Sequence, residues 1–135
     1  MVLENAVETS VVAERNWPAD VLEVLARLDA SFPKLHDRRL LPRWVFHAEA
    51  FLTIDHSTRH ELWTRDINAW NVGFLSRQPL PVASSGTLRF EVPDGEIVVV
   101  VGQVKRCREF TAGWFEGYVN FMQTIPANVL EKTRP

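Results

Sequence analysis

The sequence predicts a mainly β domain: a small antiparallel barrel of about six strands, preceded by one α-helix and followed by a tail that allows a short C-terminal helix. Two observations carry this. From Trp44 onward, apolar residues recur with a period of two in short runs separated by Pro, Gly, Asp and Ser clusters, whereas the stretch before Pro33 repeats its apolar residues at helical spacing. Closing the strands into a barrel is the simplest way to leave no exposed sheet edge.

In chain order, residues 1–15 form a polar leader with scattered valines and no clear period, so no element and no site is assigned there. Residues 16–32 form the helical segment. Asn16 or Trp17 precedes Pro18, which suits a first helical position, and Asp20 and Glu23 complement the positive end of a helix. Val21, Leu22, Val24, Leu25 and Leu28 make one apolar face, which is expected to pack on the barrel rather than lie on a membrane, since the polar side is not rich in lysine. The helix is expected to stop before Pro33.

Residues 33–123 hold the barrel. Trp44, Phe46, Ala48, Ala50, Leu52 and Ile54 alternate with more polar neighbours and read as one long strand, with Glu61 to Ile67 returning after a polar turn at residues 55–59. Val72 to Ser76 is a shorter strand, and Gln78 to Gly86 has a loop composition. Thr87 to Val92 and Ile97 to Arg108 form a hairpin about Pro93-Asp94-Gly95. Gly102 in its second arm marks a bulge or a sharp bend that helps a long strand curl. After a turn at Thr111-Ala112-Gly113, Trp114 to Phe121 alternates again, with Phe115, Val119 and Phe121 opposed to Trp114, Glu116, Tyr118 and Asn120. Residues 124–135 are a tail, in which Pro126 and Leu130 suit the start and the anchor of a short helix.

A chain of 135 residues with 46% hydrophobic content fits a single core without metal or disulfide support, and the lone Cys107 has no partner within the chain. Cys107 reads as a reduced, small hydrophobic residue, and the absence of a signal-like start or a long apolar run makes a cytoplasmic address without membrane insertion the expectation. A net charge of −2 argues against nucleic acid as a general partner, including the single-stranded binding that tryptophans beside arginines would otherwise suggest. No catalytic triad, phosphate-cradling glycine loop or metal-ligand cluster stands out, so neither an enzyme nor a metal or cofactor site is expected. His56 and His60 have helical ligand spacing, but the residues between them form a loop.

Local basicity is concentrated in His36-Asp37-Arg38-Arg39-Leu40-Leu41-Pro42-Arg43. On charge alone this is a solvated linker or an anion clamp. The run Arg39-Leu40-Leu41-Pro42-Arg43 has the form R-x-x-x-R, leads directly into a strand, and is followed by Asp66-Ile67-Asn68-Ala69-Trp70-Asn71-Val72-Gly73-Phe74. Over residues 36–121, including the ending Gly117-Tyr118-Val119-Asn120-Phe121, the chain resembles a PilZ domain.

That resemblance implies a six-stranded antiparallel barrel that binds cyclic di-GMP through the arginine motif and a D/N-x-S-x-x-G motif on the barrel wall. Asp66 matches the first position of the second motif, while Asn68 stands at the Ser position and Asn71 at the Gly position. The resemblance therefore implies Arg38, Arg39, Arg43, Asp66, Asn68 and Asn71 as ligand-binding residues. Trp70 is either a core or barrel-edge aromatic or a surface on which guanine stacks.

The chemistry is coherent. A guanidinium pairs bidentately with phosphate oxygens or with guanine O6 and N7, and a carboxylate accepts from the guanine N1 and N2 groups. The function implied is a bacterial second-messenger receptor that signals to an effector protein in motility or biofilm regulation. The alternative is a PilZ-like adaptor that no longer binds nucleotide, motivated by the departures at Asn68 and Asn71.

Overall fold

In a computed structural model of the chain, residues 17–31 and 44–134 are described. Two compact units make up the chain, Met1–Arg39 and Leu40–Pro135. In the first, helix α1 spans Ala19–Ser31. The Pro18 carbonyl accepts the backbone N–H groups of Val21 and Leu22, so the helix begins where proline costs no hydrogen bond. Trp17, Val21, Val24, Leu25 and Leu28 are buried, the spacing of a single helical face, while Glu23 and Arg27 pair at 2.6 Å on the exposed side.

The second unit contains β1 (Trp44–Val45), β2 (Glu49–Ile54), β3 (Thr58–Ile67), β4 (Asn71–Ser76), β5 (Ser85–Glu91), β6 (Ile97–Thr111), β7 (Trp114–Phe121) and helix α2 (Ala127–Glu131). Every pairing is antiparallel. The sheet runs β3-β2-β5-β6-β7-β4, and a β3–β4 pairing closes it into a six-stranded barrel, with β1 added beside β3. Closure follows from the length of β6: its first half pairs with β5 and its second with β7, and Gly102 and Gln103 pair with both.

The alternating apolar residues fill the inside of this barrel. Leu52, Leu62, Phe74, Leu88, Phe90, Val104 and Val119 belong to one buried cluster, in which Phe46 and Phe90 meet edge to face at 5.4 Å. Leu80 and Ile125 join the same cluster from loops. Burying a side chain of this kind contributes about 1.5–3 kcal/mol each, enough for the barrel to need no covalent staple. Half-buried Cys107 packs against the cluster, and its Sγ accepts the Leu80 N–H at 3.3 Å.

Three local readings are corrected. The long strand expected from Trp44 to Ile54 is two strands, because Val45 pairs with Asp66 whereas Glu49 pairs with Trp63, leaving three residues opposite two. The Thr64 hydroxyl fills that gap, accepting the Ala48 N–H at 2.8 Å and donating to the Phe46 carbonyl at 2.5 Å. The return strand starts at Thr58 rather than Glu61, since Asp55 and His56 both take positive φ values of 55° and 61° and the chain reverses within a tight turn. Gly102 is not a bulge: register runs evenly through it, and the extra residues of β6 are Lys105 and Phe110. Its role is close approach, as a Cβ there would lie 2.5 Å from Val119 Cγ1.

The C-terminal segment secures β1. Trp44 Nε1 donates to the buried Thr133 hydroxyl at 2.9 Å, and the Arg134 guanidinium lies 4.5 Å from the Trp44 ring centre. Lys132 forms ion pairs with Asp94 and Glu96 of the β5–β6 turn. No helix among the described residues is long and apolar enough to cross a membrane.

Candidate functional site

Asp66, Asn68, Trp70 and Asn71 all lie where β3 gives way to β4. Alternation fixes their direction. Ile67, Val72 and Phe74 belong to the interior cluster, so Asn71 and Gly73 face outward, and Asp66 does so opposite the exposed Val45. The β3–β4 register slips between Thr64 and Ile67, which places Arg65 and Asp66 together opposite Gly73. A glycine beside the carboxylate leaves the wall without a side chain at that step.

Asn68 is 5% exposed, and its side-chain oxygen accepts the N–H groups of Trp70 at 2.8 Å and Asn71 at 2.9 Å. Its own N–H donates to the Asn71 carbonyl at 3.0 Å. This is an Asx-type turn, built by the side chain that mimics a backbone carbonyl. The Asn68 oxygen is thereby committed to shaping the turn. Trp70 is 53% exposed at the barrel edge, while its carbonyl accepts the Phe121 N–H.

The ledge continues across strands that no motif marks. Asn71 pairs with Asn120 of β7, and Asn120 with Gln103 of β6. One ladder step along, Gly73 pairs with Tyr118 and Tyr118 with Arg106, whose guanidinium lies 5.1 Å from the Tyr118 ring centre. Arg106 Nη2 also binds Glu116 Oε2 at 2.9 Å, and Arg108 Nε binds Glu116 Oε1 at 2.5 Å. Glu116 is fully buried, so its carboxylate is held by two guanidinium groups that are themselves partly in solvent.

Asn71 Oδ1, Asn120 Oδ1 and Arg106 Nε on this outer face are among the buried polar atoms of the described residues that have no hydrogen-bond partner. Each such group costs about 1–3 kcal/mol relative to a satisfied one. Asn120 and Arg106 carried no motif, although the alternation along residues 114–121 already set Tyr118 and Asn120 on the polar side of their strand.

A separate cleft of about 270 Å³ lies at the other end of β3 and β4, lined by residues including Arg59, His60, Trp63, Ser76 and Arg77. It contains none of the residues expected at the site. Arg77 there sits 5.3 Å from the Trp63 ring centre and 5.2 Å from that of Trp114. His56 lies in a turn and His60 on a strand, so their helical spacing is not realised, and no metal-type cluster forms among the described residues. Arg38, Arg39 and Arg43 lie outside the described residues.

No family model matches this chain, and no curated protein matches it. Among solved structures, the inhibitor of motility of Bacillus subtilis (MotI/DgrA) is similar, with a TM-score of 0.57 at 12% sequence identity. The match covers 72% of this chain and 48% of that one, so the chain corresponds to about half of that protein's length. At this identity the likeness is one of fold.

Proposed function

We propose that this chain is a PilZ-like, non-enzymatic receptor for cyclic di-GMP, in which Arg39 and Arg43, assisted by Arg38, close over a ledge formed by Asp66 and Asn71. The observation that supports it is the pairing of Val45 with Asp66. Arg43 lies two residues before Val45, which is at most about 7 Å of extended chain, so this arginine of the motif is tethered next to the strand that carries the carboxylate. Trp44 between them is fastened to Thr133, which gives the tether a fixed root.

In this reading the guanidinium forks take the phosphates or the guanine O6 and N7 atoms, and Asp66 accepts from the N1 and N2 groups of one guanine. Asn68 positions the turn, and exposed Trp70 offers a face on which a base stacks. Micromolar binding needs about 8 kcal/mol, and a good bidentate base contact supplies about 1–3, so two arginines do not suffice and the ledge must contribute. The motility-related neighbour supports an output through an effector protein in motility or biofilm control, in the cytoplasm where the messenger is made.

Calorimetry with cyclic di-GMP at physiological salt tests this. Micromolar binding that weakens at least tenfold in the Arg39→Ala/Arg43→Ala protein is expected. No binding at ligand concentrations near a millimolar rejects it.

A second reading is a PilZ-like adaptor that no longer binds nucleotide. It is supported by Asn68, whose oxygen is already consumed by the turn, and by Asn71 where the motif has glycine. Recovery of the same partner by wild type and by Arg39→Ala/Arg43→Ala, with no effect of nucleotide, favours the adaptor.

A further inference from the structure

We propose that Asn120, together with Asn71 and Arg106, reads the Watson–Crick edge of a guanine base, making β7 and β6 a second recognition wall that selects guanine over other purines. The inference rests on the receptor reading above. Cyclic di-GMP carries two guanines; Asp66 serves one, and this wall serves the other.

Asn71 Oδ1 and Asn120 Oδ1 are acceptors without a donor, and Arg106 Nε is a donor without an acceptor. Buried polar groups are nearly always paired, so three such atoms on adjoining strands of one face call for an explanation. Asn71 and Asn120 are direct ladder partners, with Cβ atoms about 4.5–5.5 Å apart as in any such pair. Arg106 pairs with Tyr118, two residues from Asn120 on the same face, a diagonal within reach of a long side chain.

One donor and two acceptors are the complement of a guanine edge, which presents the O6 acceptor beside the N1–H and N2–H donors. An adenine edge, with a donor amine beside an acceptor nitrogen, leaves part of this set unpaired. Asn71 and Asn120 are only partly buried as residues, so rotation of their terminal amides brings the oxygens outward. An unpartnered oxygen gives up no hydrogen bond in that rotation.

Arg106 Nη2 and Arg108 Nε are both occupied with Glu116, which holds Arg106 in place beside Tyr118.

The test uses cyclic di-GMP, its inosine analogue, which lacks the 2-amino groups, and cyclic di-AMP, titrated by calorimetry into wild type, Asn120→Ala and Asn120→Val. Valine favours a strand and keeps the test available if alanine weakens the fold. Wild type is expected to prefer cyclic di-GMP over the inosine analogue by about a hundredfold, about tenfold from each guanine, and both variants to bring that ratio down to the roughly tenfold that Asp66 alone supplies, with no loss of thermal stability. A wild type that binds cyclic di-GMP while the variants keep its full ratio overturns the second wall and leaves the receptor reading standing. A wild type that binds none of the three overturns both.

Discussion

The side-chain oxygen of Asn68 accepts the backbone N–H of Asn71 at 2.9 Å, and through that bond the β3–β4 turn fixes where Asn71 enters the barrel wall. The same oxygen holds Trp70 N–H at 2.8 Å, so one buried atom satisfies two backbone donors. Asn68→Ala is expected to destabilise the protein by about 1–2 kcal/mol in urea unfolding. Asn68→Ser, which retains a shorter acceptor, is expected to recover part of that loss. Equal midpoints for wild type and Asn68→Ala would show that the turn does not depend on the side chain.

Glu116 joins β7 to β6 through Arg106 and Arg108. Because the carboxylate is fully buried while the arginine side chains are 39% and 52% exposed, the two directions of truncation differ. Glu116→Ala leaves two guanidinium groups that water still reaches, and the expected cost is about 2 kcal/mol, below that of a fully buried pair. Arg108→Ala removes the donor to the buried Glu116 Oε1 and is expected to cost more, because that oxygen has no access to water. Chemical unfolding of both variants measures the order, and a larger loss from Glu116→Ala contradicts it.

Gly117 admits no side chain, since a Cβ built there lies 1.8 Å from the Arg106 carbonyl oxygen. That obstacle is backbone in the neighbouring strand, so no rotamer change relieves it. Gly117→Ala is expected to lose about 3 kcal/mol or more. Gly102→Ala, which meets first the Val119 side chain, is expected to lose less. Comparable thermal midpoints for the two variants contradict this ranking.

Burial pushes the Cys107 thiol above its ordinary pKa of 9.0, against the hydrogen bond from the Leu80 N–H, which acts in the opposite sense. A folded pKa above the unfolded one means that the native state keeps its proton longer. The associated stability is therefore complete below about pH 9 and disappears as pH rises through the folded value. Wild type is expected to lose more stability than Cys107→Ala as pH rises above about 9, and its alkylation rate to titrate with a midpoint above 9.0. A midpoint below that value contradicts the burial argument.

Much of the barrel was legible because alternation is a local signal. The runs ending at Ile67, Ser76 and Phe121 each end a strand, and Pro18 marks the start of α1. What escaped local reading depends on partners. Alternation continues unbroken through Phe46 and Ala48, so the break between β1 and β2 appears only once both face β3. The bulge at Lys105 arises from the register of β6 with β7, whereas glycine drew attention to Gly102.

The β3–β4 part of the site is compact enough in sequence to be named by motif. Asn120 is not, because its relation to Asn71 is created by the pairing of β4 with β7, strands far apart in the chain. The same non-locality hides Glu116, an acidic residue whose burial is tolerable only because β6 supplies two arginines.

The most direct measurement is nuclear magnetic resonance of isotopically labelled protein during titration with cyclic di-GMP, following the side-chain amides of Asn71 and Asn120 and the backbone amides of Asp66 and Gly73. The account predicts saturable shifts concentrated on these groups, absent in the Arg39→Ala/Arg43→Ala protein. Shifts centred instead on the cleft around Arg59 and Arg77, or a spectrum unchanged by ligand, would contradict it.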